Sequence, residues 1–527
     1  MNKVDKVVIL GGGSAGWMTA ATLIHNFPEK EIVLVESPDT PRIGVGESTL
    51  AGLPAWLRTI DMDYKDFMKY TDASFKLSIK FTDFHKVGDG GFHYPFGHPF
   101  LGNTTLPNAN DWHMLKHYVP ETTTQSYVES LFPQSVLLET NKIMNPKKRE
   151  LEDFTLERDF ALHFDAIKFA DWLADKYSKP RGVKHVLGHV ENVVTNEDGV
   201  EKLVLKDGQE ITADLFIDCT GFKSMLLGGA MQEEFISCAD KLPVNRTWAV
   251  QIPYVDAENE IQNFTESTAL GYGWVWNAPL YSRIGTGYVY SDKFTTPEEA
   301  LEEFKVYLRK RFGEERINDS LKFNDIRFKS GTYRRTWVKN VVGIGLSATF
   351  LEPLESNGLF FIHESANTLV KFLRRGYVNG IDIDFYNATV RKHFDFFSSF
   401  LEYHYVLSQR RDTSFWKYMT ERPIEPYLAE LPVGGLYQEE QQMKTTQQSY
   451  PVIMTSGFHC IAVGHEYYPV DPISVSYWQY HYDTDYKKTA GDFYIRTEKS
   501  QKKWLKAVEN APTHYQYLTD NFHKENE

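Results

Sequence analysis

The chain has 527 residues, of which 42% are hydrophobic and 24% charged, and its net charge is −14. This composition is typical of a globular protein, and the length predicts two or more domains. The negative charge without a basic cluster argues against nucleic acid or an anionic membrane as a partner, because both require a concentrated positive surface. No apolar stretch reaches the roughly 20 residues that span a bilayer.

The start of the chain, VVILGGGSAGW, predicts a strand, a glycine turn and a helix. Gly11, Gly13 and Gly16 form G-x-G-x-x-G, and Glu36 closes the next predicted strand twenty residues beyond Gly16. In a dinucleotide site the glycines let the backbone approach the pyrophosphate, the helix N-terminus faces its charge, and the acid accepts a hydrogen bond from a ribose hydroxyl. The pattern therefore predicts a dinucleotide-binding module, with a purely structural glycine turn as the alternative.

Two later segments favour FAD over NAD in this module. Residues 214–221 and 340–361 read as strands that return to an FAD, the second running into a helix that begins near Leu359. The first follows a hairpin predicted to turn at Asp207-Gly208. Only one G-x-G-x-x-G occurs, so we expect reduced flavin to come from a separate NAD(P)H-dependent flavin reductase.

The stretch from Thr71 to Phe81, TDASFKLSIKF, alternates apolar and polar residues and predicts a half-buried strand. On spacing alone we expect Lys76 to be solvated, because a lysine on the polar side of such a strand normally faces water. A buried amine that handles a reagent is the alternative.

Two further features have both structural and functional interpretations. The turn from Glu355 to Gly358 precedes a predicted helix, and its amides could hold a flavin oxygen, a phosphate or a halide; simple capping by Ser356 is the alternative. Trp274 and Trp276 lie two residues apart on one strand face, where core packing is the commonest role of such pairs.

The predicted fold class is α/β: a doubly wound, Rossmann-like FAD-binding module with an added β-sheet region and a C-terminal helical region. The expected boundaries are 1–230 and 325–375 for the FAD-binding module, 231–324 for the sheet region that carries Trp274 and Trp276, and 376–527 for the helical region that covers the substrate. Within the last region, residues 382–408 predict a long helix, and 438–449 predict a surface loop.

Three cysteines make neither a disulfide framework nor a metal-binding spacing, so a reducing cytoplasm is the expected location. The apolar start is interrupted by glycines and has no small-residue cleavage site, so we expect no signal peptide. An oligomer is compatible with the sequence.

Six segments in register resemble the flavin-dependent halogenases, in particular the tryptophan halogenase branch. Besides the Gly11, Gly13 and Gly16 turn they are PRIGVGEST at 41–49, FKLSIKF at 75–81, HFDA at 163–166, WVWNAP at 274–279 and FLEPLESNG at 350–358. The resemblance runs from about residue 5 to about residue 420 and more faintly beyond.

The resemblance implies an oxidoreductase in which FAD (as FADH2), oxygen and a halide (chloride, bromide or iodide) give hypohalous acid. This oxidant would pass through a tunnel to Lys76, which hydrogen-bonds it or forms a haloamine, while Glu355 polarises the oxidant or stabilises the cation on the ring. Lys80 would be a structural lysine.

The remaining implied site residues fall into three groups. The FAD contacts, with 41–49 as a mobile strap, would be Gly11, Gly13, Ser14, Ala15, Gly16, Glu36, Val45, Gly46, Glu47, Ser48 and Leu346. The halide would be held by the backbone of Asn357 and Gly358, and the tunnel would be lined by Ser356, Trp274 and Trp276.

The chain departs from the family pattern mainly at substrate positions. Ala278 replaces an isoleucine in the WxWxIP signature, and Tyr94 stands where the tryptophan-specific enzymes have a histidine. A Phe-Trp pair of those enzymes is replaced by Val452 and Ile453, with no glutamate just upstream. We therefore expect a small electron-rich aromatic substrate such as an indole or phenol, rather than free tryptophan. The residues that would line its pocket are Tyr94, Pro95, Phe96, Val452 and Ile453.

Two other functions are compatible with an FAD module. One is an FAD-dependent monooxygenase of an aromatic substrate, and the other is a non-catalytic flavoprotein. Lys76, Glu355 and the tryptophan pair count against both, because neither function requires that combination.

Overall fold

The computed structural model describes residues 3–39, 47–97, 99, 112, 115–147, 150–422, 452–467 and 485–524, with the backbone alone at residues 47, 452–456, 486 and 489. The chain forms two compact units. The first contains Met1–Ser74, Leu162–Pro253 and Ser282–Leu401, and the second contains Phe75–Ala161, Tyr254–Tyr281 and Glu402–Glu527. The division into three parts by role, expected from the sequence, stays a prediction.

The first unit is built on a six-stranded sheet. Its strand order is Trp337–Val338, Val341–Gly343, Leu215–Asp218, Lys6–Leu10, Glu31–Glu36, Lys184–Leu187. All neighbours are parallel except the first pair. The central strand is a continuous apolar run with Val7, Val8 and Ile9 fully buried, as expected of a parallel sheet covered on both faces. The predicted returning strands are confirmed, since Leu215–Asp218 pairs with the first strand and Val341–Gly343 pairs with Leu215–Asp218.

Smaller antiparallel sheets complete the first unit. The predicted hairpin turns at Gly208, whose φ of 87° needs no Cβ. Gly199–Leu205 pairs with Val190–Asn196 and Glu210–Ile211, and Gly331–Tyr333 pairs with Phe235–Ser237 and Thr349–Phe350. Arg246–Pro253 pairs with Asn324–Arg327 and Arg283–Tyr290 in a three-stranded stretch of a larger sheet, and Glu47–Ser48 pairs with Ala161–Phe164. The α-helices are Ser14–Asn26, Gly52–Thr59, Tyr64–Tyr70, Ala166–Trp172, Pro297–Phe312, Gly358–Leu373 and Gly380–Val406, the last of which continues into the second unit.

The second unit contains a four-stranded stretch of sheet and a set of helices. Its strands, in spatial order, are Gly273–Pro279, Thr265–Ala269, Ser78–Thr82 and Gly91–Pro95. The helices are Gln125–Leu131, Ser135–Thr140, Ala257–Glu260, Ser414–Glu421, Val452–Gly464, Tyr486–Val508 and His514–Leu518. From residue 380 onward every element of the described ranges is helical, so the helical C-terminal region is confirmed. The loop predicted at 438–449 lies outside the described residues.

One expectation from spacing alone was wrong. The segment predicted as a single half-buried strand is two strands, Ser74–Lys76 and Ser78–Thr82, separated at Leu77. Lys76 and Ser78 are fully buried, and only Lys80 of the polar set reaches solvent. Alternation predicts a wet face only when one side of a strand meets water, and here both sides are covered.

Two simpler expectations concern the thiols and the membrane. None of the three cysteines, Cys219, Cys238 and Cys460, forms a disulfide, and the first and last are buried. Within the described ranges no helix combines the length and apolar character needed to cross a membrane.

A buried histidine makes the stability of the fold depend on pH. His514 is fully buried, and its burial lowers its pKa from 6.5 to about 3. The unfolded chain therefore binds this proton below pH 6.5 while the folded chain does not, so stability falls as the pH decreases from 6.5 towards 3.

We expect wild type to lose about 2 kcal/mol more stability than His514→Gln between pH 7 and pH 5, because each pH unit in this window costs about 1.4 kcal/mol. Thermal unfolding of both proteins at the two pH values measures the difference, and other histidines contribute equally to both. Equal losses in the two proteins would contradict the expectation.

Candidate active site

Two glycines of the turn, Gly11 and Gly16, are packed too closely for a side chain. A Cβ on Gly11 would lie 2.3 Å from the carbonyl oxygen of Cys219, and one on Gly16 would lie 1.9 Å from the carbonyl oxygen of Gly11. The helix Ser14–Asn26 begins with Gly13 as N-cap and has no side-chain capping bond. A Cβ on Gly13 would meet no described atom within 4 Å, so there is room for a ligand beside the helix start. This cradle fits the pyrophosphate of FAD.

Glu36 lies beside the same turn. Its carboxylate would collide with a Cβ on Gly12, and its Oε2 lies 3.0 Å from Nε2 of His185. His185 also packs edge-on against Trp17 at 5.1 Å. The position suits the predicted ribose acceptor. His185 was missed from the sequence because only the parallel pairing of distant strands brings it to Glu36.

A second chain segment closes on the start of this helix. Gly345–Ser347, which contains Leu346, forms a short turn, and a Cβ on Gly345 would lie 2.8 Å from Cβ of Ala15. The turn is tied down by Ser347, whose hydroxyl donates to the backbone oxygen of Asp218. Leu346 and Ala15, both predicted to contact FAD, are therefore on neighbouring segments.

Asp218 is a buried carboxylate that sequence reasoning overlooked. It accepts hydrogen bonds from the Thr220 hydroxyl at 2.7 Å and from the amides of Leu226 and Leu227 at 2.7 and 2.9 Å. Burial raises its pKa. Its role is to fasten the end of the returning strand, and the acid in DLFIDCTG is the signal that could have found it.

The turn before the helix Gly358–Leu373 is buried and strained. Ser356 adopts a left-handed conformation with a φ of 55°, and its hydroxyl donates to that of Ser48 at 3.1 Å. Glu355 is 1% exposed and Asn357 is fully buried. The helix start predicted near Leu359 is confirmed at Gly358, but the alternative of capping by Ser356 was wrong, because the N-cap is Asn357 and makes no side-chain capping bond.

Open space adjoins this helix N-terminus too. Among the described residues, a Cβ on Gly358 would meet no atom within 4 Å, and Oδ1 of Asn357 has no hydrogen-bond partner. Uncapped amides with the helix dipole behind them are suited to an anion.

The strap predicted at 41–49 is described only in part. Val45 and Gly46 lie outside the described residues, and of Glu47 only the backbone is described. Glu47–Ser48 pairs with Phe164 and His163 of the HFDA motif. His163 in turn has Nδ1 3.1 Å from the hydroxyl of Ser74. The HFDA motif, one of the six segments of the family resemblance, thus holds the end of the strap.

In the second unit, Lys76 is a fully buried lysine. Its Nζ lies 5.1 Å from the centroid of the Phe96 ring, a cation–π arrangement. Lysine is almost never completely buried without a specific reason. Lys80 differs, since its side chain is 32% exposed and its Nζ lies 3.9 Å from Glu266, which fits a structural lysine.

Aromatic side chains accompany Lys76 in this unit. Tyr94 is 3% exposed and Phe96 is 1% exposed, with their ring centroids 6.2 Å apart. Pro95 between them is buried. The side chains of Val452 and Ile453, the other predicted substrate contacts, lie outside the described residues, although their backbone begins the helix Val452–Gly464.

The tryptophan pair is buried on the strand Gly273–Pro279. Trp274 is 1% exposed and Trp276 is 8% exposed, and their ring centroids are 6.3 Å apart at an interplanar angle of 59°. The Nε1 of Trp274 has no hydrogen-bond partner in the part of the chain that the structure describes. The two tryptophan rings therefore lie next to each other in the interior of the second unit.

Comparisons with known proteins agree on one family. The family model for tryptophan halogenase matches residues 6–476. The tryptophan 6-halogenase ThaL of Streptomyces albogriseolus is 34% identical over 499 residues, covering 90% of this chain and 91% of that protein.

Solved structures give the same result. The apo structure of VirX1 has a TM-score of 0.87 and 35% identity, covering 99% of this chain and 100% of that chain. The tryptophan 6-halogenase SttH of Streptomyces toxytricini has a TM-score of 0.84 and 31% identity, covering 98% of this chain and 99% of that chain. The chain therefore belongs to the tryptophan halogenase family and is a flavin-dependent halogenase.

Proposed function

We propose that this halogenase uses FADH2, oxygen and a halide to make hypohalous acid, and that Lys76 delivers the halogen to an electron-rich aromatic substrate. The observation that carries the proposal is the complete burial of the Lys76 amine against the Phe96 ring. A hypohalous acid in open water oxidises whatever it meets, so the residue that receives it must be enclosed and fixed in position. Lys76 meets both conditions.

FADH2, when bound, would give two electrons to oxygen and so activate it to oxidise the halide to hypohalous acid. The residues proposed to hold it are the glycine turn with Ser14 and Ala15, Glu36, the strap residues Val45, Gly46, Glu47 and Ser48, and Leu346. The open space at Gly13 supports a pyrophosphate there, because within the described residues the helix start has no side-chain capping bond. Since the chain has one glycine fingerprint, a separate NAD(P)H-dependent flavin reductase is proposed as the source of FADH2.

The halide is proposed to bind at the backbone of Asn357 and Gly358. Support comes from the uncapped start of a 16-residue helix and the open space in front of Gly358. Ser356, Trp274 and Trp276 are proposed to line the route taken by the oxidant.

Two forms of the Lys76 amine can deliver the halogen. An ammonium would donate a hydrogen bond to hypohalous acid and polarise it, whereas a neutral amine would form an N–halogen bond and release water. Glu355, a carboxylate that is 1% exposed, is proposed to assist by polarising the oxidant or stabilising the ring cation.

The proposed substrate is an indole or another electron-rich ring. Tyr94, Pro95 and Phe96 offer an apolar, aromatic lining, and Val452 and Ile453 replace larger aromatic residues of the tryptophan-specific enzymes. No glutamate stands just upstream to bind the ammonium of an amino acid.

The role of Lys76 predicts a loss of product without a loss of flavin oxidation. Lys76→Met keeps most of the side-chain volume but removes the amine, so we expect halogenation to fall on the order of 10²–10⁴-fold, the usual contribution of a proton-handling side chain. The assay is product mass after incubation with FADH2, oxygen, bromide and indole. Lys80→Met is the matched control and should retain product.

Two results would contradict this function. Undiminished brominated product from Lys76→Met would exclude delivery by Lys76. A gain of one oxygen instead of the isotope doublet of bromine in the wild-type product would favour the monooxygenase.

The halide site predicts a selective effect of Gly358→Ala. The new methyl group meets no described atom within 4 Å and improves helix propensity, so the variant should be at least as stable as wild type. It would occupy space proposed for the halide, and we expect the KM for bromide to rise about tenfold with little change for indole. Gly380→Ala is the control, because Gly380 also begins a helix and its Cβ also meets no atom within 4 Å. An equal bromide KM in both variants would place the halide elsewhere.

The substrate pocket predicts a preference among arenes. We expect kcat/KM for indole to exceed that for free tryptophan, because the pocket lacks the residues that orient an amino acid. Parallel assays with bromide measure both values. Efficient and regioselective tryptophan turnover would show that the proposed pocket is wrong.

A further inference from the structure

The backbone on each side of Lys76 is held by a hydrogen bond within the second unit. The N–H of Phe75 donates to Nε2 of His514 at 3.1 Å, and the N–H of Leu77 donates to the backbone oxygen of Asn263 at 2.7 Å. The two bonds flank Lys76 and therefore define where its side chain leaves the strand. The first of them depends on the identity of a side chain.

His514 is itself fixed in place. It begins the helix His514–Leu518, where Thr513 and Gln516 form a reciprocal capping box. The N–H of His514 donates to the backbone oxygen of Asn141 at 3.1 Å. The ring is fully buried, and burial lowers its pKa to about 3, so it stays neutral and able to accept a hydrogen bond at any working pH.

The segment that carries His514, Thr513–His523, is named here the C-terminal clamp. Tyr517 and Phe522 of the clamp pack on the Phe75 ring at 5.7 and 6.1 Å between centroids. At its far end His523 stacks on Tyr281, just after the tryptophan strand, at 3.6 Å. The clamp thus contacts both the Lys76 segment and the chain that follows Trp276. It also lies beyond residue 476, where the family match ends.

We propose that His514 is a positioning residue for Lys76: its imidazole accepts the Phe75 N–H and so sets the direction of the lysine amine. This inference rests on the proposed role of Lys76 in halogen delivery. Without the acceptor a buried N–H loses its partner, and the strand must shift to satisfy it. A displacement of 1 Å at a reacting group can cost about 10²-fold in rate.

Three variants separate the hydrogen bond from packing. His514→Phe keeps a ring but has no acceptor. His514→Gln places an amide oxygen the same number of bonds from Cα as Nε2, so it can restore the bond. Tyr517→Leu removes a ring that packs on Phe75 and leaves the bond intact.

The test uses the full chain with chemically reduced FAD, oxygen, bromide and indole. It measures brominated indole formed per FADH2 oxidised, and hypobromous acid that escapes into solution, trapped by an added β-diketone. For His514→Phe we expect flavin oxidation within about twofold of wild type, at least a roughly tenfold loss of product per flavin, and more trapped bromine. His514→Gln should recover most of the product, and Tyr517→Leu should lower the Tm while product per flavin is unchanged.

Several outcomes would overturn the inference: wild-type product per flavin in His514→Phe, equal impairment in His514→Gln, or product and flavin oxidation that fall together with the folded fraction. If His514→Phe does not fold, His514→Asn replaces it, because its amide is one bond too short to reach Phe75. Lys76→Met, measured in parallel, distinguishes a failure of the proposed function from a failure of the positioning role. Full product from Lys76→Met rejects the proposed function and this inference with it, whereas loss of product there with normal coupling in His514→Phe rejects the positioning role alone.

Discussion

The removal of a lysine amine from water is the constraint on which the rest of this site depends. Lys76 is fully buried, and an ammonium in such a place loses its hydration. The ring face of Phe96, 5.1 Å from Nζ, offsets part of that loss. The same exclusion of water that makes the amine costly to bury would protect a reactive halogen from side reactions. The burial that is unfavourable for the charged amine is therefore the same burial that the proposed chemistry requires.

A buried amine is useful only if its direction is fixed. The hydrogen bonds from Phe75 and Leu77 hold the backbone on both sides of it. These bonds come from residues far away in the sequence, His514 and Asn263. Support for the backbone around Lys76 is thus distributed over the second unit, and part of it comes from a segment outside the family match.

Two helices of the first unit contrast with an ordinary surface helix. Ser14–Asn26 and Gly358–Leu373 begin without a side-chain capping bond, and a Cβ on Gly13 or Gly358 would meet open space. Pro297–Phe312 begins with a complete capping box formed by Thr296 and Glu299. The first amides of a helix need hydrogen-bond partners, and a bound anion can provide them where no capping side chain does. The room beside Gly13 and Gly358 is the observation on which the proposed cofactor phosphate and halide sites rest.

The sequence by itself determined the α/β class, the glycine turn with Glu36, the returning strands, the hairpin at Gly208 and the helix starting at Gly358. These features are local or periodic, so a few consecutive residues specify them. Tertiary structure alone decided that Lys76 is buried, since alternation cannot reveal whether the second face of a strand is covered. It also decided that His185 meets Glu36, that Asp218 fastens a strand end, and that His514 holds Phe75. Each of these contacts joins residues far apart along the chain, and spacing in the sequence carries no information about such distances.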